Sequence, residues 1–213
     1  MSALAFPIAV LLAASPAAPK PPAAVYQIDT QCAAAAKLGD AHKQDPLFYA
    51  DFSEGVRPGA NDGSGKWRSF KNAAELRTYA AKQGAPNTQA SIWKAPDGTT
   101  IALLHFSSDS GDWSDDTDYC FRPDGTLARA ISALVNFSAE AYGHRTLWFG
   151  ADGSVLHKKE RASESGGRRK PGPDLMEGFD DTIVYPTVKS LPFLAPATPT
   201  PPTKKSAKAP AAP

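Results

Sequence analysis

WKAPDGT at residues 93–99, CFRPDGT at 120–126 and WFGADGS at 148–154 share one pattern. Each sets Asp-Gly between runs rich in aromatic and aliphatic residues, and glycine accepts the positive φ that tight hairpins demand. The glycines, Gly98, Gly125 and Gly153, stand 27 and 28 residues apart, and five positions before each comes a large or sulfur-bearing residue: Trp93, Cys120 and Trp148. The pattern predicts three hairpins, with strands near 90–95, 99–107, 117–122, 126–137, 144–150 and 154–160. Pro96 and Pro123 leave two turn geometries open, a two-residue hairpin turn or a type I turn closed by a bulged glycine. A one-residue slip would reverse every side chain, so the facing of the strands stays unassigned. Three copies with weak identity outside the turns read as a plain antiparallel meander rather than a repeat array.

Upstream of the hairpins the period changes. DTQCAAAAKLGD at 29–40 reads as a short helix capped by Asp29 or Thr30, ended by Gly39, and packing through Cys32, Ala35 and Ala36. A second helix is marked by Asn72 and Glu75 at capping-box spacing, a stripe of Ala73, Leu76, Tyr79 and Ala80, and a stop at Gly84 and Pro86. LFYADF at 47–52 and KWRSF at 66–70 are candidate strands flanking the irregular VRPGANDGSG. The expected class is α+β: an antiparallel meander of about six strands, built from three Asp-Gly hairpins, with two N-terminal helices packed on one face.

The ends have a different composition. MSALAFPIAVLLAASPAA carries an apolar run too short to span a bilayer but suited to a signal-peptide core, with a small-x-small site at Ser15 and Ala17. No Lys or Arg precedes that run. Residues 13–24 and 195–213 are mostly Ala, Pro, Lys and Thr, which cannot bury enough apolar surface to offset the entropy of ordering. The organisation is therefore read as a signal peptide and leader at 1–24, one globular domain at 25–194 and a disordered tail at 195–213, exported to the periplasm or outside the cell. No stable membrane span is expected.

A formal net charge of +1 supplies no global field, so nucleic acid is not an expected partner. The two cysteines are too few for a disulfide scaffold and lack the close spacing of a zinc site or a redox pair, and in an oxidising compartment Cys32 and Cys120 are expected to be bridged. SSDSGDWSDDTDY reads as an acidic loop in which Asp109, Asp112, Asp115, Asp116 and Asp118 are candidate ligands for a hard cation, although the glycine and glutamate spacing of a helix-loop-helix calcium site is missing. His105, among Leu103, Leu104 and Phe106, reads as a core residue; His144 and His157 fall at least three residues out of register and would not share a metal; His42 is the fourth histidine. GANDGSGKW at 59–67 fails the phosphate-loop pattern in spacing and in Trp67. HKKERASESGGRRK at 157–170 is basic but lacks interleaved aromatics, so it reads as a solvated strand end, or as a contact for an anionic envelope polymer or an acidic protein.

No serine elbow or His-Glu-x-x-His occurs, and no cofactor is expected. The expected function is a non-catalytic exported module that binds a protein or envelope polymer. Two rivals are a hydrolase or metal-binding enzyme using the acidic loop 109–118, and a secreted protein inhibitor presenting a hairpin loop. A pocket beside Asp109 to Asp118 holding a His or Arg would favour the hydrolase; a rigid apolar loop would favour the inhibitor.

Overall fold

The computed structural model describes residues 21–40, 46–52, 67–108, 110–137, 140–164 and 184–194. The chain runs α1 (Ala23–Asp40), β1 (Leu47–Asp51), β2 (Trp67–Phe70), α2 (Ala73–Gln83), β3 (Thr88–Lys94), β4 (Thr100–Ser107), β5 (Trp113–Phe121), β6 (Leu127–Asn136), β7 (Ala141–Phe149) and β8 (Val155–Glu164). The strands form one antiparallel sheet in the order β2-β1-β3-β4-β5-β6-β7-β8. The α+β class and the meander stand, but the sheet has eight strands where about six were expected. The two extra strands are the candidates at 47–52 and 66–70, which add to the free side of β3 rather than forming a separate unit. The irregular stretch between them, and its failed phosphate-loop pattern, lie outside the described residues up to position 66.

All three Asp-Gly turns adopt the same geometry. Gly98 N–H donates to Ala95 O at 2.9 Å, Gly125 to Arg122 O at 2.8 Å and Gly153 to Gly150 O at 3.0 Å, with glycine φ of 90°, 86° and 81°. These are three-residue connections closed by a left-handed glycine, which resolves the choice that the prolines left open. Each aspartate accepts two bonds from the residue two positions on: Asp97 from Thr99 N–H and Oγ1, Asp124 from Thr126 N–H and Oγ1, Asp152 from Ser154 N–H and Oγ. These bonds, backbone first at Asp97 and Asp124 and hydroxyl first at Asp152, hold the three carboxyls below their usual value.

The residues five places before those glycines all hold α1. Trp148 Nε1–H donates to Asp29 Oδ1 at 2.8 Å, Cys120 is bridged to Cys32, and Trp93 Nε1–H donates to Ala35 O at 3.0 Å. The anchors sit three residues apart on the helix and on every second strand of the sheet. From Asp29 to Ala35 the helix advances about 9 Å, whereas β3 and β7 lie about 19 Å apart across four strand spacings. Long indoles at the outer strands close that difference, and the short cysteine serves the middle one. Val25, Ile28, Cys32 and Ala35 are the buried side of α1. The helix thus starts at Ala23 and not at Asp29: Val25 N–H bonds Pro22 O at 3.0 Å, so Pro22 supports its first turn. Ala23 and Ala24, expected to be extended, belong to it. Nor does Gly39 end it. A Cβ there would stand 2.5 Å from Trp93 Cε2, so glycine lets the last turn lie directly on the indole.

Elements at the other side of the molecule follow their local chemistry. Asn72 accepts from Glu75 N–H at 2.9 Å and Glu75 Oε2 accepts from Lys71 N–H at 2.8 Å, so α2 begins where its cap predicts, and Gly84 at φ 99° ends it. α2 seats Leu76 against Ala50 and Phe70, and Tyr79 packs on Phe52 and Phe70. The largest core lies on the face opposite Cys120, where Tyr119, Phe121, Leu104 and Ala102 meet Tyr185, Leu191 and Phe193 from the 184–194 segment. That segment is tied to the second turn by Leu127 N–H to Pro186 O and Val188 N–H to Gly125 O, both 2.9 Å. Full burial of Phe121 alone is worth about 1.5–3 kcal/mol.

Candidate functional site

Two of the hairpin turns touch: a Cβ on Gly98 would stand 3.0 Å from Pro123 Cβ. Beside them, β1, β3 and the 184–194 segment leave a groove of about 530 Å³. Its walls are apolar, made by Leu47, Tyr49, Ile92, Val188 and Leu194. Leu47 remains 52% exposed and Leu194 36%, so apolar side chains stand in solvent where the groove opens. Ile92, on the face of β3 opposite the Trp93 indole, packs in the same core as Leu191 and Phe193 and forms the fixed apolar floor of the groove.

The polar groups of the groove are Lys94, Lys189, Asp124, Thr100 and Thr187, with the backbone of Gly125. Both lysines are exposed and take part in no ion pair among the described residues. Asp124 is different, because its Oδ1 is already engaged by Thr126. The volume falls within the roughly 300–1,000 Å³ usual for small-molecule sites, and the lining has the expected character of apolar walls with few polar groups. Among the described residues no histidine or cysteine lines it. Sequence reasoning missed this site because its walls come from four separate segments, each unremarkable alone.

The acidic stretch forms no loop beyond Asp112. From Trp113 it is strand β5, and strand alternation sends Asp116 and Asp118 to one face and Asp115 to the other. Thr117, between Asp116 and Asp118, and Tyr119, after them, are buried, which is why a polar sequence pairs as a central strand. Asp112 lies in the bend before β5, and Asp109 lies outside the described residues. Among the described residues no group of three or more His, Cys, Asp or Glu side chains could hold a metal ion.

Asp116 instead meets His105, whose Nδ1 lies 2.7 Å from Asp116 Oδ1, with the two side chains 41% and 56% exposed. His105 is therefore a half-exposed partner of a carboxylate and not the core residue expected, because strand alternation turns it away from the buried Leu104. The pair borders a cleft of about 370 Å³ together with Asp118, Gln89, Ser91, Leu76 and Leu103. Ser91 is paired with Leu103 across the strands while Gln89 is paired with His105, so the hydroxyl is one diagonal step from the imidazole. No hydrogen bond joins them.

Cys32 and Cys120 are bridged, with Cα atoms 5.8 Å apart. His144 is paired with Arg161 and His157 with Trp148, so the two histidines are four residues out of register. His157 packs its ring on Trp148 at 5.3 Å. The described part of the basic run is β8, where Glu160 accepts from Arg145 Nε–H at 2.6 Å and from Lys158 at 2.8 Å. Residues 165–170 of that run and His42 lie outside the described residues. No helix is long and apolar enough to cross a membrane among the described residues. Compared with protein-family models, curated proteins and solved structures, the chain shows no match.

Proposed function

We propose that the chain is an exported, non-catalytic binding module whose ligand places its apolar body in the groove beside the first two Asp-Gly turns. The observation that carries this reading is the groove itself, about 530 Å³ of mostly apolar wall opening beside Leu47 and Leu194. Binding needs a preformed concavity with few polar groups, and catalysis would need an acid–base pair or nucleophile in the same place. Export is supported by the N-terminal apolar run and by a disulfide that closes 88 residues of chain.

The test is titration with N-phenyl-1-naphthylamine, a neutral probe that brightens in apolar sites, on the full chain and on Leu47→Asp and Leu194→Asp. Both leucines are exposed, so the variants should fold. We expect saturable one-to-one binding by the parent chain and about ten-fold weaker binding by each variant. Equal binding by all three proteins, or none by the parent, overturns the groove as the site.

The hydrolase rival has one observation in its favour, the His105–Asp116 pair beside a cleft. It would need a nucleophile or activated water there, and no Ser, Thr or Cys is hydrogen-bonded to His105 among the described residues. The inhibitor rival draws no support from the Asp-Gly turns, whose tips are Pro96-Asp97, Pro123-Asp124 and Ala151-Asp152 rather than large apolar side chains.

A further inference from the structure

We infer that the groove selects an amphipathic organic anion, with an apolar chain laid between Ile92 and Leu194 and an acidic head met by Lys94 and Lys189. This rests on the reading of the groove as the binding site, and adds the charge of what enters it. The two lysines lie on different segments, the end of β3 and the 3-10 turn Val188–Ser190, yet border one apolar space. An ammonium with no ion-pair partner beside a hydrophobic wall is half of an interaction. A single carboxylate, sulfate or phosphate on an apolar body completes it without leaving a polar group unpaired. Neither lysine has such a partner among the described residues, in contrast to Arg129 and Arg145, each of which is held by a carboxylate.

Asp124 does not cancel this polarity. Its carboxylate is occupied by the Thr126 N–H and hydroxyl as part of the turn, so it is the least available charge of the three. With two cations and one committed anion the groove keeps a net positive edge, and a cationic amphiphile would meet two like charges there. Lys94 follows Ile92 by two residues in β3, so the apolar wall and the charge beside it share one face of one strand. We commit to a free monomeric amphiphile because the site is a groove between turns, whereas a bilayer contact would call for a broad exposed apolar surface.

The experiment is isothermal titration of the full chain with dodecanoate, dodecyltrimethylammonium and dodecanol below their aggregation limits, repeated on Lys94→Glu/Lys189→Glu. We expect dodecanoate to bind about ten-fold more tightly than the cation, and the order to reverse in the double variant. Equal affinity for the three amphiphiles, with the neutral naphthylamine still bound, overturns the charge selection and leaves the groove reading intact. Failure of every apolar probe overturns both. Retention on phosphatidylglycerol vesicles without a response to monomeric dodecanoate would assign the lysines to a membrane surface. Displacement of dodecanoate by a synthetic peptide of residues 195–213 would make the chain's own tail the occupant. Either result overturns the inference.

Discussion

An alanine at Gly39 would put its Cβ 2.5 Å from Trp93 Cε2, a contact that the indole can relieve only by leaving Ala35 O. Alanine favours the helix over glycine by about 1 kcal/mol, whereas overpacking a core site costs about 1–3 kcal/mol. The clash should win, and Gly39→Ala should lower the urea midpoint and shift tryptophan emission, while an alanine at an exposed helix site should not. The turn aspartates act through charge. Asp97, Asp124 and Asp152 have depressed folded-state values, so their contribution is complete above the ordinary carboxyl value and is lost as the pH falls through the folded value. Urea midpoints should therefore drop below about pH 4. The triple Asn variant, which cannot titrate there, should show a flatter acid limb. The aspartate, the glycine and the hydroxyl residue after it were all legible in the sequence, since a local motif carries its own geometry. The glycine at position 39 was not, because its neighbour is 54 residues away in the chain.

At the scale of elements, α1 is bound to the sheet chiefly by its three anchors, and the bridge in the middle is the covalent one. Replacing Cys32 and Cys120 together with alanine should cost roughly 2–5 kcal/mol of stability. The emission of Trp93 and Trp148 should move to the red as the helix loosens, which equilibrium unfolding followed by tryptophan fluorescence will show. If stability is unchanged, the two indole bonds suffice and the bridge is redundant. α2 was readable to the residue from its cap, but α1 was read short because its first turns lack a capping side chain and begin in a proline-rich stretch. β5 was misread for a different reason. WSDDTDYC has the alternation of a strand, yet Thr117, buried on the face of Tyr119, is polar, as is the buried Ser114 on the other face, so hydropathy alone gives no period. What buries Thr117 is pairing: its Oγ1 lies 3.1 Å from Ser132 Oγ on β6.

For the whole molecule, the meander and its disulfide followed from local turn signals and from cysteine arithmetic, but the groove did not. Leu47, Trp93, Asp124 and Lys189 approach only after β1 joins β3 and the 184–194 segment crosses the second turn. The same long-range wiring sets an order of events on the growing chain. The anchors of α1 close over 58 residues at Trp93, 88 at Cys120 and 119 at Trp148. A helix that precedes all its anchors in the chain must therefore wait for three successive hairpins before it is fastened. Until β5 is in place, Cys32 is a thiol without its mate. The protein's period of greatest vulnerability to wrong partners is thus written into the spacing of its repeated turns.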